Sequence, residues 1–470
     1  MLLQAMFEQF CKSSPVTVMT RTTLEYALAP EWIDALFDRT AQAQYTRALT
    51  LSTMVDLMAP VVCGVHGSVR AAYLKSPVEI GASITAVYDK LARIETGVSE
   101  ALVRETAARL AQVIDAMPEG QRAPLVRGYH TKILDGNCLG ATEHRLSELR
   151  SIASGPLPGK SLAVLDPARM LIVDLFACED GHAQERSLLD RVLQTVQGKD
   201  LWVADRNFCT AGFLRGIDRR GGCFVIRRHR GLVYETCGPW KEVGRSQTGY
   251  LMERTVRFVD DEGQWFSLRL VKVVVDEKTR DGDTELLLLT NLPVRAADAQ
   301  KVATLYRHRW LLETAFLHLT KTLRCEIETL GYPKAALFGF CVAVMSYNVL
   351  AVTRAALRSC HGQQRGDDEL SMHALTDEIA GTYRGMAIAL PDSMWVEYRD
   401  YSAKQMASSL VAWASKVEMR RFRKTVRGPK KPQPPRRKAK NKTHVATPVS
   451  YTHLRAHETP EHLVCRLLLE

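Results

Sequence analysis

Residues 201–207 read LWVADRN, a short apolar run that ends in a polar turn. Four apolar residues followed by Asp205 predict a strand buried on both faces. Comparable runs and two helix-like stretches surround it in the order KILDG (132–136), SLAVLDP (161–167), MLIVDLFAC (170–178), ERSLLDRVLQTV (185–196), FLRGIDRR (213–220) and CFVIRRH (223–229). Residues 201–207 lie between the two helix-like stretches. The predicted order along the chain is therefore three strands, a helix, a strand, a helix and a further strand.

This element order is that of an RNase H-like fold, in which helices flank a mixed sheet. We therefore predict an α/β protein whose RNase H-like core begins with residues 126–230. Residues 231–293 alternate apolar and polar positions, as in WFSLRLVKVVV, and predict an inserted β subdomain. The helix period in residues 1–125 predicts a helical N-terminal region, and helical patterns at 294–422 predict the completion of the core and C-terminal helices.

The net charge of +11 is concentrated near the end of the chain. Twelve of the 63 Lys and Arg residues lie between Arg420 and Lys442, a segment without Asp or Glu. Rich in proline as well, this segment cannot bury a core, so we expect residues 423–447 to form a disordered basic tail. If the protein handles DNA, such a tail suits contacts with phosphates that are independent of sequence.

Cysteine usage and hydropathy point to a protein of the cytoplasm without membrane spans. The eleven cysteines include no CxxC pair, and the N-terminus lacks a basic region followed by an apolar run. Residues 335–353 carry no charge but include Ser346, Tyr347 and Asn348, which are costly in lipid. We expect a buried helix there rather than a membrane span.

Three acidic residues are candidates for catalysis, and each has a simpler alternative. Asp135 precedes a glycine, and Asp-Gly is a common turn. Asp205 ends a strand and precedes a helix, where it could be an N-cap. Glu313 lies on a predicted helix, on one face with Tyr306 and Arg309, where it could simply pair with Arg309.

The order of the three acids favours catalysis. An acid on the first strand, one on the fourth strand and one on a later helix is the arrangement that chemistry with two metal ions requires on this fold. Hard divalent cations prefer carboxylate oxygens. We therefore predict that Asp135, Asp205 and Glu313 hold two Mg²⁺ ions, for which Mn²⁺ can substitute. The other acids nearby we expect to be solvated carboxylates at turns or strand ends: Asp166, Asp174, Glu179 and Asp180.

Residues 306–313, YRHRWLLE, resemble the Tyr-x2-Arg-x3-Glu-x6-Lys motif of bacterial insertion-sequence DDE transposases, the group named after insertion sequence four. LDGN around Asp135 and ADRNF around Asp205 resemble the first two acidic motifs of that group. The resemblance extends from about residue 125 to 350. It implies an enzyme that cleaves DNA at transposon ends and joins the freed 3′-hydroxyl to a target.

The resemblance also implies roles for neighbouring residues and for partners. Tyr306, Arg309, Arg206 and Lys321 would contact DNA, although the lysine of the motif falls on Thr320 and Lys321 stands one place later. The partners would be double-stranded DNA, as terminal inverted repeats and as target, and a second copy of the chain in a homodimer. Residues 1–125 would bind the DNA ends, in a bacterial protein associated with the nucleoid. Two alternatives stay open: a two-metal nuclease without strand transfer, and an inactive DNA-binding remnant.

Residues 448–470 have a different character. VSYTHLRAHET (449–459) resembles the in-frame translation of a common sequencing-library adapter, and HLVCRLLLE (462–470) matches the far end of that adapter. We therefore expect this segment to be an artefact of sequence assembly.

Overall fold

The structure is a computed structural model. It describes residues 2–425 and 428, apart from residues 45, 47, 76–79, 140–158, 181–182, 261–262, 280–281 and 328–329. Most of the expected basic tail and the whole of residues 448–470 therefore lie outside the described residues.

The N-terminal region is helical. Its helices are α1 (Leu2–Ser13), α2 (Pro15–Ala27), α3 (Pro30–Thr40), α4 (Leu51–Val62), α5 (Val69–Lys75), α6 (Ile84–Leu91) and α7 (Thr96–Asp115). Proline at the first position opens α2 and α3, where the missing N–H costs nothing. The side chains of Thr50 and Ser83 cap α4 and α6 by accepting a backbone N–H.

The strands of the described chain form one mixed sheet in the order β3-β2-β1-β4-β5-β9-β8-β7-β6. β1 pairs antiparallel with β2 and parallel with β4, and β4 pairs parallel with β5. The strands are β1 (His130–Cys138), β2 (Lys160–Asp166), β3 (Leu171–Cys178), β4 (Asp200–Ala204), β5 (Cys223–Arg227), β6 (Glu235–Ser246), β7 (Gly249–Val259), β8 (Trp265–Val275) and β9 (Glu285–Thr290). This confirms the predicted mixed α/β class.

The strands predicted as an inserted β subdomain extend this same sheet. β9 pairs antiparallel with β5, and β8, β7 and β6 follow outward as antiparallel neighbours. β6, at the edge of the sheet, is largely exposed.

Helices cover both faces of the first five strands. α8 (Leu189–Gln194) and α9 (Ala211–Arg219) pack on the face that carries Leu134 and Trp202. The opposite face carries Ile133 and Val203 and belongs to a larger core, which the N-terminal helices and five later helices also form. The later helices are α10 (Ala299–Arg307), α11 (Trp310–Lys321), α12 (Pro333–Gln363), α13 (Met372–Ala389) and α14 (Ala403–Ala414). Because side chains alternate along a strand, neighbouring residues of β1 and β4 point into different cores.

α12 is the uncharged helix of the sequence, and it is long and apolar enough to cross a membrane. Its apolar window is entirely buried within the protein. Asn348 is fully buried, yet its side chain bonds both backbone groups of Ile172 on β3, at 2.9 Å each. Ser346 donates to the carbonyl of Val342 in its own helix. The polar residues of this helix therefore have partners inside the protein core, as expected for a buried helix.

Candidate active site

The parallel pairing of β1 and β4 brings two of the predicted acids side by side. The register of these strands ends at the pair Leu134–Ala204, so Asp135 and Asp205 each lie one residue beyond it. By alternation with Ile133 and Val203, both side chains point to the face that α10 and α11 cover. Two acids 70 positions apart in the sequence thus meet at one edge of the core sheet.

Neither aspartate takes the simpler role considered from the sequence. The Asp-Gly pair is not a turn, because β1 continues through Asp135 and pairs with β2 as far as Cys138. Asp205 stands at the N-cap of a short 3₁₀ turn, Arg206–Phe208, but its side chain makes no capping hydrogen bond there.

The third acid, Glu313, lies on α11. The sequence predicted one continuous helix from Tyr306 to Glu313, and this is wrong: α10 ends at Arg307 and α11 begins at Trp310. No glycine or proline marks this break. The break leaves Tyr306 at the end of one helix and Glu313 in the first turn of the next, above the ends of β1 and β4.

Arg309 joins two of the three carboxylates. Its Nη1 lies 2.8 Å from Oδ2 of Asp135 and 2.6 Å from Oε1 of Glu313. The ion pair with Glu313 was the simpler alternative for that residue, but the shared contact with Asp135 makes it part of a larger cluster. The Arg309 side chain is 12% exposed, and its Nε is buried without a hydrogen-bond partner in the described structure.

Burial and charge act in opposite directions on this pair. Burial raises the pKa of Asp135 to about 6, although Arg309 lowers it. Burial also lowers the pKa of Arg309, but Tyr306, Asp135 and Glu313 together raise it above its ordinary value. The guanidinium therefore stays charged and offsets the repulsion between the acids.

Tyr306 holds the remaining acid. Its phenol donates a hydrogen bond of 2.9 Å to Oδ1 of Asp205. Burial and the neighbouring Asp205 raise the pKa of Tyr306 well above its ordinary value, so the phenol keeps its proton and remains a donor. Cζ of Arg309 lies 6.0 Å from the ring centroid of Tyr306, so the three predicted acids, Tyr306 and Arg309 form one connected cluster.

The cluster offers the oxygen donors that hard divalent cations prefer. In the part of the chain that the structure describes, no group of three or more Asp, Glu, His or Cys side chains is gathered closely enough to hold a metal ion. Arg309 occupies the place where the carboxylates of Asp135 and Glu313 meet. The residues fit such a cation chemically, provided that these two acids exchange the guanidinium for the ion.

The other predicted DNA-contacting residues lie in two different places. Arg206 directly follows Asp205, is exposed, and lines a cleft of about 360 Å³ together with Arg227, Arg228 and Arg230. Lys321 ends α11 and lines a separate, mostly apolar cavity of about 220 Å³ among the helices.

Acids that we expected to be solvated carboxylates outside the site have structural partners. Asp166 pairs with Arg169 at 2.7 Å, and Asp174, which is buried, pairs with Arg104 at 2.8 Å. Glu179 lies 4.0 Å from Lys334. Asp174 thus differs from that expectation, because its neighbours on β3 bury it against α7.

Sequence reasoning missed Glu185 and Asn207, which contact each other beside the aspartates. Asn207 directly follows the ADR of the second acidic motif, and that position was the one available signal. Glu185 starts a helix-like run and carries no pattern that distinguishes it from a solvated helix-start acid.

Part of the chain matches a known protein family. Residues 160–349 match the family model described as "Transposase DDE domain". This range includes Asp205 and Glu313 and begins after Asp135. No curated protein matches the chain.

Among solved structures, the chain is similar to the cryo-EM structure of a piggyBac transposase synaptic complex with hairpin DNA. The two share 9% identity over 86% of each chain, with a TM-score of 0.37. Residues 160–349, which contain two of the three acids of the cluster, are thus similar to a transposase DDE domain, and this match supports a transposase enzyme.

Proposed function

We propose that this transposase cleaves DNA at the ends of an insertion sequence and joins the freed 3′-hydroxyl to a target, with Mg²⁺ as its metal. The observation that carries the proposal is the convergence of Asp135, Asp205 and Glu313 around Arg309 and Tyr306. DDE transposase domains generally use divalent metal ions. We assign these three carboxylates as the ligands, and Mn²⁺ as a substitute ion.

The core that holds the acids supports an RNase H-like assignment. β3, β2 and β1 are antiparallel, and β4 and β5 add in parallel beside β1. This is the mixed sheet expected for that fold, and β6–β9 extend it. We further assign the chain to the insertion-sequence-four group of bacterial transposases, on the motif at residues 306–313.

Each residue of the cluster has a defined task in this proposal. When bound, the metal ions activate a water or 3′-hydroxyl and stabilise the leaving oxygen. Tyr306 orients the carboxylate of Asp205 by donating to one of its oxygens. Arg309 neutralises Asp135 and Glu313, two of the residues that would hold the ions, and its planar head suits contact with a DNA phosphate.

The DNA path, the dimer and the location in the cell are parts of the same proposal. The arginines beside Asp205 suit a phosphate backbone. Double-stranded DNA, as terminal inverted repeats and target, would be held by a homodimer, and residues 1–125 would bind the ends. All cysteines in the described residues are free, which supports a reducing bacterial cytoplasm, where the nucleoid lies.

The test uses the purified full chain and a plasmid that carries its gene with the native flanking DNA. Mg²⁺-dependent cleavage at the gene's borders is expected for the wild type, and Asp205→Asn should abolish it. Asp166→Asn is the matched control, because Asp166 also ends a core strand but pairs with Arg169. Equal loss in both variants would reject Asp205 as a ligand.

Two alternatives remain outcomes of further assays. A nuclease without strand transfer would cleave these borders but would not join a pre-cleaved 3′-hydroxyl end to a target plasmid. An inactive remnant would bind DNA in a salt-sensitive way without cleavage. Thr320 favours the remnant, since it stands at the lysine position of the motif and bonds the carbonyl of Phe316 in its own helix.

A further inference from the structure

The residues that follow the two aspartates are tied together by one side chain, that of Glu185. Glu185 opens the 3₁₀ turn Glu185–Leu188, which comes after β3. Its Oε2 accepts a hydrogen bond of 2.5 Å from Nδ2 of Asn207, two residues after Asp205. Its carboxyl group also lies against Gly136, the residue after Asp135. Glu185 therefore bridges the strand end of one acid and the turn of the other.

The contact with Asn207 is reinforced from both sides. Nε of Arg186 donates to the backbone carbonyl of Asn207 at 2.7 Å, so the same short turn holds this asparagine by side chain and by backbone. The turn is itself anchored upstream, because Nζ of Lys160 on β2 donates to the carbonyl of Ala183 at 2.7 Å. The position of Asn207 is thus set by the core sheet.

The contact with Gly136 depends on the lack of a side chain. A Cβ added at Gly136 would lie 2.5 Å from Cδ of Glu185, so the carboxyl group of Glu185 would have to move away from the strand. Gly136 lies in β1 and pairs with Leu162, an extended conformation that alanine adopts freely. The glycine is therefore needed for the approach of Glu185 and not for a turn.

Glu185 lies on the other side of the sheet from the three acids. Because side chains alternate along a strand, Asp135 lies on the same face of the sheet as Ile133, towards α11. Gly136 lies on the opposite face, with Leu134. Leu188 and Leu189, which continue the turn of Glu185, belong to the core on the Leu134 face. Glu185 consequently supports the strand ends from behind instead of adding a fourth carboxylate to the cluster.

Such support is needed because the backbone ladder stops short of the acids. The register of β1 and β4 ends at Leu134–Ala204, so this ladder does not fix the distance between Asp135 and Asp205. We propose that Glu185 is a positioning residue that holds Gly136 and Asn207 together and so keeps the two aspartates at the spacing a divalent cation requires. This inference rests on the proposed metal-dependent function. It assigns Glu185 no contact with metal or DNA.

The direct test is binding of Mn²⁺ alone to the full chain, followed by electron paramagnetic resonance of the free ion. The wild type should bind Mn²⁺ and Asp205→Asn should not. Glu185→Ala should weaken Mn²⁺ affinity on the order of 10–100-fold, the usual effect of removing a group that orients a metal ligand. Glu185→Gln should bind nearly as the wild type does, because its amide oxygen still accepts from Asn207.

Two double variants separate positioning from a general loss of structure. Asn207→Ala should weaken Mn²⁺ binding as Glu185→Ala does, and the double variant should be no worse than either, since one interaction is lost only once. Gly136→Ala should also weaken binding in the wild-type background. In the Glu185→Ala background it should have no further effect, because the atoms that the new Cβ would meet have gone. Thermal unfolding of each variant checks that the fold is retained.

These outcomes separate a failure of the positioning role of Glu185 from a failure of the proposed metal site. If Asp205→Asn leaves Mn²⁺ binding intact, the proposed metal site is wrong and the role of Glu185 falls with it. If Asp205→Asn abolishes binding but Glu185→Ala does not weaken it, only the positioning role is wrong. If Glu185→Gln fails as badly as Glu185→Ala, the charge of Glu185 matters rather than its hydrogen bond, and this also overturns the positioning role.

Discussion

The phenol of Tyr306 donates a hydrogen bond of 2.9 Å to Oδ1 of Asp205. This bond links the last turn of α10 to the acid that follows β4. Tyr306→Phe removes only this hydrogen bond. We expect cleavage to slow by roughly 10- to 100-fold, since a hydrogen bond to a charged group is worth about 1.5–3 kcal/mol. Rates of DNA cleavage in Mg²⁺ measure the effect. Tyr332→Phe, at an exposed tyrosine, is the control and should leave the rate unchanged.

In the proposed site, metal ions would compete with Arg309 for the oxygens of Asp135 and Glu313 that the guanidinium contacts. Arg309→Ala should therefore retain or tighten Mn²⁺ binding, while DNA cleavage is lost because no guanidinium remains to bind the phosphate. The increase in melting temperature on adding Mn²⁺ should be at least as large in the variant as in the wild type, since binding to the folded state stabilises it. A variant that loses Mn²⁺ binding would show that Arg309 organises the acids instead of competing with the ion.

We expect a second arginine cluster to affect the stability of the protein at low pH. Asp367 is buried and contacts Arg122, Arg354 and Arg358. Burial would raise its pKa, but the three arginines lower it to about 2. A depressed carboxyl pKa adds stability above the unfolded value, about 3.9, and this stability is lost as the pH falls towards 2.

Asp367→Asn should accordingly destabilise the protein at neutral pH, by about 3–5 kcal/mol as for other broken buried ion pairs. The difference from the wild type should be constant above about pH 5 and should narrow as the pH falls further. Urea unfolding at several pH values measures it. A difference that stays constant down to pH 3 would mean that the charge of Asp367 is not what the arginines stabilise.

Asn348 is the polar residue that ties α12 to the sheet through both backbone groups of Ile172. Asn348→Leu should lower the free energy of unfolding by at least about 1–3 kcal/mol, because buried backbone groups lose their partners. Ser346→Ala is the control on the same helix. It removes a hydrogen bond to the carbonyl of Val342, which also accepts a backbone hydrogen bond within the helix, so the loss of unfolding free energy should be much smaller. Equal effects would assign the loss to packing alone.

The sequence predicted the parts of the site that local pattern controls. Short apolar runs ending at Asp135 and Asp205 marked two buried strands, and the helical spacing of Arg309 and Glu313 marked their ion pair. Chain order then placed the acids together, because parallel strands end at the same edge of a sheet.

What the sequence did not show depends on contacts between distant segments. Nothing in the residues around His308 predicts the break between α10 and α11, which tertiary packing imposes on an otherwise helical pattern. The pairing of β9 with β5 joins residues that are more than 60 positions apart in the sequence, such as Val225 and Thr290. The bridge from Glu185 to Asn207 likewise needs the fold, since an isolated acid at a helix start has no distinguishing spacing.

The central claim, that Asp135, Asp205 and Glu313 form the metal site of a transposase, is tested most directly at Asp205. The measurement is Mg²⁺-dependent cleavage of the gene's native borders by the wild type, Asp205→Asn and Asp166→Asn at equal concentration and equal thermal stability. We predict border cleavage by the wild type and by Asp166→Asn, and none by Asp205→Asn. Cleavage by Asp205→Asn at the wild-type rate would contradict the claim.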